Sequence, residues 1–376
     1  MGVEGDRKRF ALLQAARDSE YVKKIYGGYF NLFVEAFGDE GETWDVFMVV
    51  DGEFPLLTDL NNYDGFVVSG SPYDAHGDDC WIRELCVILQ AIDSLQKKVL
   101  GICFGHQVLC RALGGKVGKS NSGWDIGLRN VKFNVKNIVN TSSCSFLNDF
   151  DANDFPQLLY IIECHQDEVW EVPLGAKVIA YSEKTGVEMF CYGDHILGIQ
   201  GHPEYPLDII HNLIDRLLCN GSIQIPEKYR IYNPLNMLNY IPPSDYCNNI
   251  VQEDLAENAR LQLQKREPDR KCWERICKGF LKAKISTKSV DKNPSDQYNG
   301  CLKADNLTEN VDKNLNNLCS SFLKEEILKE HVENNLNDLC KGLLKAEILT
   351  ENVHSSLNDL CKDFHKAEIL AESVNN

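Results

Sequence analysis

Short apolar runs alternate with amphipathic segments over the first hundred residues. Residues 10–13, 44–50 (WDVFMVV) and 63–69 (YDGFVVS) read as strands, apolar enough to be buried on both faces. Between them, residues 19–37 place Tyr21, Ile25, Tyr29, Leu32 and Phe33 on one helical face. Residues 81–95 do the same with Leu85, Ile88, Leu89 and Ile92. A further apolar run, Val99, Leu100 and Ile102, feeds directly into a helical pattern over 104–113, with Val108, Leu109, Ala112 and Leu113 on one side. Strand and helix alternating at this length predict a mostly parallel sheet wrapped by helices on both faces. After Gly115 the runs shorten: 116–119, 126–134, 158–163, 177–181, 187–192 and 196–200, broken by Gly, Asn and Asp. They predict an antiparallel section on the same core. Residues 207–218 read as a closing helix and 254–279 as a charged helical stretch. The fold class is α/β.

From residue 281 the chain repeats itself. LKAKISTKSV, LKADNLTENV, LKEEILKEHV, LKAEILTENV and HKAEILAESV recur every 21 residues, with Cys277, Cys319, Cys340 and Cys361 in phase. Such a period is three heptads, so Ile327, Val332, Leu336, Leu339 and Leu343 can share a helical face. Asn-rich stretches and Pro294 oppose a continuous helix. Two readings follow: helices that pack on the body or self-associate, or a disordered product of duplication. The expected organisation is a catalytic domain over 8–220, a helical extension over 221–282 and a repeat tail over 283–376.

Composition narrows the class. Of 376 residues, 43% are hydrophobic and 25% charged, as in globular proteins. The net charge of −17, with no basic cluster to offset it, argues against nucleic acid or an anionic membrane as partner. No apolar run is long enough to span a bilayer, and the N-terminal stretch lacks the apolar core of a secretory signal. Fifteen cysteines, without C-x-x-C pairs, fit reduced thiols and a cytosolic setting.

Chemistry concentrates in KVLGICFGHQVLCRALGG, residues 98–115. Cys103 falls at the strand-to-helix corner, between Gly101 and Gly105. A side chain at such a corner is presented at the carboxyl ends of the strands, where α/β folds bind ligands. The helix N-terminus favours an anion there, so this thiol is expected to lose its proton readily. A thiol nucleophile needs a base, and the base an orienting group. LGIQGHPEY, residues 197–205, supplies His202 and Glu204, which in extended backbone point to one side. His202 would take the thiol proton and return it to a leaving amine, and Glu204 would hold the ring. The N–H of Phe104, with Gly70 or Ser71 at the end of the neighbouring strand, would form an oxyanion hole; Ser71 could also line the substrate site. Gln107, one turn after Cys103, could bond a substrate or simply be helix polarity. ECHQDEVW, residues 163–170, gathers His165, Gln166 and Asp167 as a pocket wall or a turn. No spaced set of ligands indicates a metal, and no cofactor is expected.

GICFGHQ at 101–107 together with GIQGHPE at 198–204 resembles the class I glutamine amidotransferase domain, and ECHQDEVWEVPLGAKVIA resembles the glutaminase half of GMP synthetases. The resemblance covers roughly residues 8–218 and implies a flavodoxin-like core. SGSPYDAH at 69, SGWDIGLRNV at 122 and EPDRKCWERICKGFLK at 267 are similar to the plant cytosolic γ-glutamyl peptidases, which cleave the γ-glutamyl bond of glutathione conjugates in the metabolism of glucosinolates and camalexin. That family's nucleophile, base and orienting carboxylate match Cys103, His202 and Glu204. Its pattern stops near Lys282, so the tail is a departure that bears on oligomeric state. The resemblance implies a small γ-glutamyl substrate and a thioester route. Two other functions stay open: a glutaminase subunit supplying ammonia to a separate synthetase, and an inactive scaffold binding partners through its tail.

Overall fold

The computed structural model describes residues 7–134, 146–147, 157–223 and 255–284, all within the first of the chain's two units, Met1–Gln297. The repeats and the expected self-association through them lie outside the described residues.

Five parallel strands form the centre: β1 (Arg9–Leu13), β2 (Thr43–Phe47), β3 (Gly65–Val68), β4 (Lys98–Ile102) and, arriving much later in the chain, β11 (Ile196–Ile199). Between β4 and β11 come β5 (Lys116–Lys119), β6 (Asp125–Phe133), β7 (Leu158–His165), β8 (Asp167–Glu171), β9 (Lys177–Tyr181) and β10 (Met189–Tyr192). The nine-stranded sheet runs β2-β1-β3-β4-β11-β10-β9-β6-β7. Pairings from β2 to β11 are parallel, and those from β11 to β7 antiparallel. This is the expected α/β fold with its antiparallel section. Every residue of β3, β4 and β11 is buried, because helices cover both faces of the parallel part.

On one face α4 (Phe104–Ala112) packs on β3, β4 and β11, with α3 (Cys80–Ser94) against it. In α3 Leu85, Ile88, Leu89 and Ile92 are buried. Elsewhere α5 (Leu207–Cys219) lies on β7 and α6 (Leu255–Lys265) on β6, while α7 (Arg270–Lys282) contacts β4, β7 and the helix Tyr29–Phe37.

Three local expectations are corrected. The single helix over 19–37 is two, α1 (Glu20–Tyr26) and α2 (Tyr29–Phe37), with Ser19 capping the first. Gly27 and Gly28 at φ +73° and +120° make the break, conformations a side chain would resist. The strand over 44–50 ends at Phe47, whose carbonyl accepts the last bond from β1's edge, Gln14 N–H at 2.9 Å; Val49–Asp51 then turns as a 3₁₀ helix. The helix over 254–279 is interrupted before Pro268, which lacks an N–H and disfavours helix in the preceding residue.

Asp269 uses that interruption. Its carboxylate accepts the Tyr160 N–H at 2.7 Å, and its own N–H donates to the Tyr160 carbonyl at 2.9 Å. Trp273, 1% exposed, donates its ring N–H to the same carbonyl at 3.1 Å. The C-terminal helix is thereby fastened to β7, and Ile276, Cys277 and Phe280 join the main core.

Candidate active site

Cys103 stands between β4 and α4 with φ +51°, a region a non-glycine residue occupies only when its surroundings hold it there. Its N–H donates to Ile199 of β11 at 2.9 Å, and its carbonyl accepts the Gln107 N–H at 3.1 Å. The flanking glycines permit the corner by close approach. A Cβ at Gly101 would lie 2.5 Å from the Gly105 carbonyl oxygen, and one at Gly105 would press on Val68, 2.9 Å from its Cβ. Strand β3 and helix α4 can therefore touch only because residue 105 has no side chain.

The adjacent β11 leads to the residue expected to act as base. Past Ile199 the chain reaches His202, whose N–H donates to Ile162 of β7 at 2.8 Å. Glu204 curls back, and its Oε1 lies 2.8 Å from His202 Nδ1. All three side chains are buried: Cys103 and His202 are 5% exposed and Glu204 0%. Burial alone would lower the pKa of the His202 ring. The Glu204 carboxylate and then Cys103 outweigh it and lift the ring to about 10.

For Cys103 burial is again the largest influence, and it pushes the thiol up; His202 pulls it back. The expectation of a readily ionised thiol is thus corrected. Desolvation in the closed corner works against the thiolate, and the His202 imidazolium beside it works in its favour as the ion-pair partner.

Gly70 follows β3 beside this pair: a Cβ on it would lie 2.9 Å from His202 Cε1 and 3.7 Å from Cys103 Cβ. Ser69 fixes that turn, its hydroxyl accepting the Ala15 N–H at 2.8 Å and donating to the Gly70 carbonyl at 2.9 Å. Phe104 opens α4, so its N–H has no acceptor within the helix, and its ring stacks on Trp81. Ser71 lies on the cavity wall, where its hydroxyl accepts the Tyr73 N–H at 3.2 Å.

Gln107 also lines the cavity but is 3% exposed, and its amide nitrogen donates to the Asp167 carbonyl at 2.7 Å and to Gln200 Oε1 at 3.0 Å. It ties α4 to β8 and β11. His165 donates from Nδ1 to the Asp167 carbonyl at 2.8 Å, with Nε2 3.4 Å from Glu163. Burial lowers it to about 4, so the ring is neutral. Residues 163–170 form the corner between β7 and β8; the latter pairs with β5 in a separate two-stranded sheet.

The cavity over Cys103 and His202 has a volume of about 350 Å³, within the range of small-molecule sites. Its walls include residues the sequence did not single out. Tyr205 stacks face to face on the His202 ring at 4.0 Å. Cys164 and Trp124 lie nearby, and Arg17 and Arg216 stand at the rim. Asp74 and Asp167 make one wall acidic, and His76 Nδ1 lies 3.0 Å from Asp167. Among the described residues Asp74, His76 and Asp167 are the group whose donor atoms come close enough to suggest a cation, within 4.8 Å of one another. Lys119, 4.0 Å from Asp74, already places a positive charge beside it.

A buried thiol, an imidazole held by a carboxylate, and free N–H groups at the corner can together perform acyl transfer from an amide to water. Comparison with known proteins agrees in kind. The model of the glutamine amidotransferase class-I family matches residues 25–213. Gamma-glutamyl peptidase 5 of Arabidopsis thaliana is 46% identical over 279 residues, covering 74% of this chain and 97% of that protein. Gamma-glutamyl peptidase 3 of the same plant is 45% identical over 282 residues, covering 75% and 100%. A glutamine-hydrolysing GMP synthase chain of Thermococcus kodakarensis is 32% identical over 145 residues, covering 37% and 65%.

Proposed function

The chain belongs to the class I glutamine amidotransferase family, among its γ-glutamyl peptidases, and from that premise we propose that it removes the γ-glutamyl residue from glutathione or a glutathione S-conjugate. It is a hydrolase of small γ-glutamyl molecules. The identity of the leaving group is the step beyond.

What carries that step is the cavity of about 350 Å³ over the Cys103–His202 pair, acidic on one wall and bearing arginines at its rim. Release of ammonia from glutamine needs no such room on the leaving side. The acidic wall of Asp74 and Asp167 suits the α-ammonium of a γ-glutamyl group. In the reaction the Cys103 sulfur attacks the γ-carbonyl carbon as the thiolate, its proton already held on the His202 ring. The oxygen gathers negative charge, and the N–H groups of Phe104 and Gly70 are the donors near it. Collapse breaks the C–N bond, and His202 gives its proton to the departing cysteinyl nitrogen, leaving a γ-glutamyl thioester on Cys103. Water then attacks that carbonyl, His202 accepts the water's proton, and expulsion of the sulfur releases glutamate. With the water's proton left on His202, the thiolate–imidazolium pair is restored. Glu204 stabilises the charged ring throughout.

A cytosolic setting belongs to the same reading; among the described residues Cys80, Cys86 and Cys110 with others are free thiols, while Cys191 is disulfide-bonded and departs from the expected set of reduced thiols. Turnover of sulfur-bearing conjugates in defence metabolism, as of glucosinolate or camalexin precursors, belongs to the same reading.

The test is mass spectrometry of products from the full chain and its Cys103→Ala variant, each given glutathione, a glutathione S-conjugate and glutamine. Glutamate and cysteinylglycine or its conjugate should appear with the native protein and not with the variant. Turnover of glutamine alone would overturn the proposal in favour of an ammonia-supplying subunit.

A further inference from the structure

The Glu204 carboxylate does not by itself fix the base. Its Oε1 lies 2.8 Å from His202 Nδ1, but a single hydrogen bond leaves a planar ring free to swing about the axis of that bond. Tyr205 removes the freedom. Its ring lies parallel to the imidazole, with centroids 4.0 Å apart and planes within 3° of each other. At the Cε1 edge Gly70 leaves little slack, since a Cβ there would come within 2.9 Å. Nδ1 being taken by Glu204, the ring nitrogen left for proton transfer is Nε2.

The sequence builds this contact locally. HPEYP at 202–206 puts Pro203 second in a four-residue turn, where its fixed φ is favoured. The Tyr205 N–H closes that turn on the His202 carbonyl at 3.5 Å. Pro206 follows, disfavours helix at Tyr205 and caps α5. The start of α5 is pinned in turn: the Asp208 carboxylate accepts the Tyr21 hydroxyl at 2.6 Å and the Tyr26 hydroxyl at 2.8 Å. Tyr205 is 7% exposed, so the stack is buried as well as fastened at both ends.

A cation within about 6 Å of a tyrosine ring centre is stabilised by the electron-rich face. An imidazolium is such a cation and a neutral imidazole is not, so the stack favours the protonated ring that must serve the leaving nitrogen. The ring's charged partners are Glu204 and Cys103. From β7, which bridges to His202 through Ile162, the side chains of Glu163, Cys164 and His165 are driven by burial to their neutral forms. Asp167, Tyr29 of α2 and Arg216 of α5 line the same cavity. Substitution at residue 205 alters none of these charges.

Resting on the hydrolase reading above, we propose that Tyr205 is a positioning residue for the base: its ring face fixes the tilt of His202 and stabilises the imidazolium, and its hydroxyl takes no part.

The experiment compares the native full chain with Tyr205→Phe, Tyr205→Leu and Tyr205→Met, with circular dichroism to check the fold; Met is a second non-aromatic replacement should Leu fail to fold. One readout is the pH dependence of kcat and KM on glutathione. The other needs no turnover: NMR titration of protein carrying carbon-13 at histidine Cε1, with the His202 signal identified by its absence from His202→Gln. In the Leu and Met variants the ring's titration and the alkaline limb should both move down by about 0.5–1.5 pH units. Their kcat should fall about 10-fold or more, with KM changed far less. Tyr205→Phe should stay near the native protein in both readouts. An unmoved titration and limb in the Leu and Met variants overturns the proposal, as does a Phe variant that falls with them. A native chain that cleaves no glutathione, while its His202 titrates above that of the Leu variant, removes the hydrolase reading and upholds the effect of the stack on the ring.

Discussion

Replacing Glu204 by Gln tests how the buried triad works. The amide keeps an oxygen that can accept from His202 Nδ1, 2.8 Å away in the native protein, while the negative charge is lost. In the native site burial opposes the charged ring, and Glu204 leads the influences that raise it to about 10 against an ordinary value of 6.5. That rise corresponds to roughly 5 kcal/mol in favour of the imidazolium, at about 1.4 kcal/mol per tenfold change in acidity, shared between Glu204 and Cys103. With the carboxylate gone, burial remains, and the thiolate–imidazolium pair becomes scarce. The expected loss in kcat/KM is about 10²- to 10⁴-fold. The assay is the full pH profile of kcat/KM on a γ-glutamyl substrate. The alkaline limb, where the imidazolium loses its proton, should move from near pH 10 in the native enzyme to below neutrality in the variant. The same linkage has a thermal signature. A group whose pKa is raised by folding stabilises the fold fully below its unfolded value, about 6.5 for histidine, and that contribution disappears as pH rises through about 10. The Tm difference between native and variant should therefore shrink steadily across that interval. An unchanged alkaline limb, with a loss under about threefold, would refute the view that Glu204 acts by charge.

Further outcomes follow from the packing. Gly105→Ala would drive a methyl against Val68 of β3 and should lower stability by about 1–3 kcal/mol or more, seen as a reduced Tm. Trp273→Ala removes a side chain 1% exposed that bonds Tyr160, and chemical denaturation should report a loss of about 3–5 kcal/mol. Asp167→Asn keeps the backbone carbonyl that Gln107 and His165 use but removes a charge from the cavity wall. Its KM for a γ-glutamyl substrate should rise about 10-fold or more with kcat changed far less; a fall in kcat at constant KM would contradict the ammonium-binding role.

The central strands and the nucleophile corner were legible because each depends on residues close in sequence: an apolar run, two glycines and a helical period. The proximity of His202 and Glu204 was legible for the same reason, being a matter of two positions. What escaped depends on partners far along the chain. The raised thiol pKa comes from the burial of Cys103, and no local pattern of the corner encodes that desolvation. Residues 163–170 were read as a pocket wall or a turn, and strand β8 within them went unpredicted; it pairs with β5 away from the main sheet, leaving Trp170 half exposed. Gln107 looked like surface polarity in part because its two acceptors come from β8 and β11. Tyr205 carried no signal of its own: its stacking on His202 is a consequence of how the segment before α5 closes on the cavity.

The strand order has a consequence in time. Cys103 follows β4, whose neighbours are β3, made shortly before it, and β11, made about a hundred residues later. A growing chain can complete β1 to β4 and present the thiol while His202 and Glu204 have not yet been synthesised. Until Ile196–Ile199 inserts beside β4, the sulfur lacks both the base that would ionise it and the carboxylate that would hold the base in place. The thiol and its base are therefore brought together only when this late strand docks beside β4.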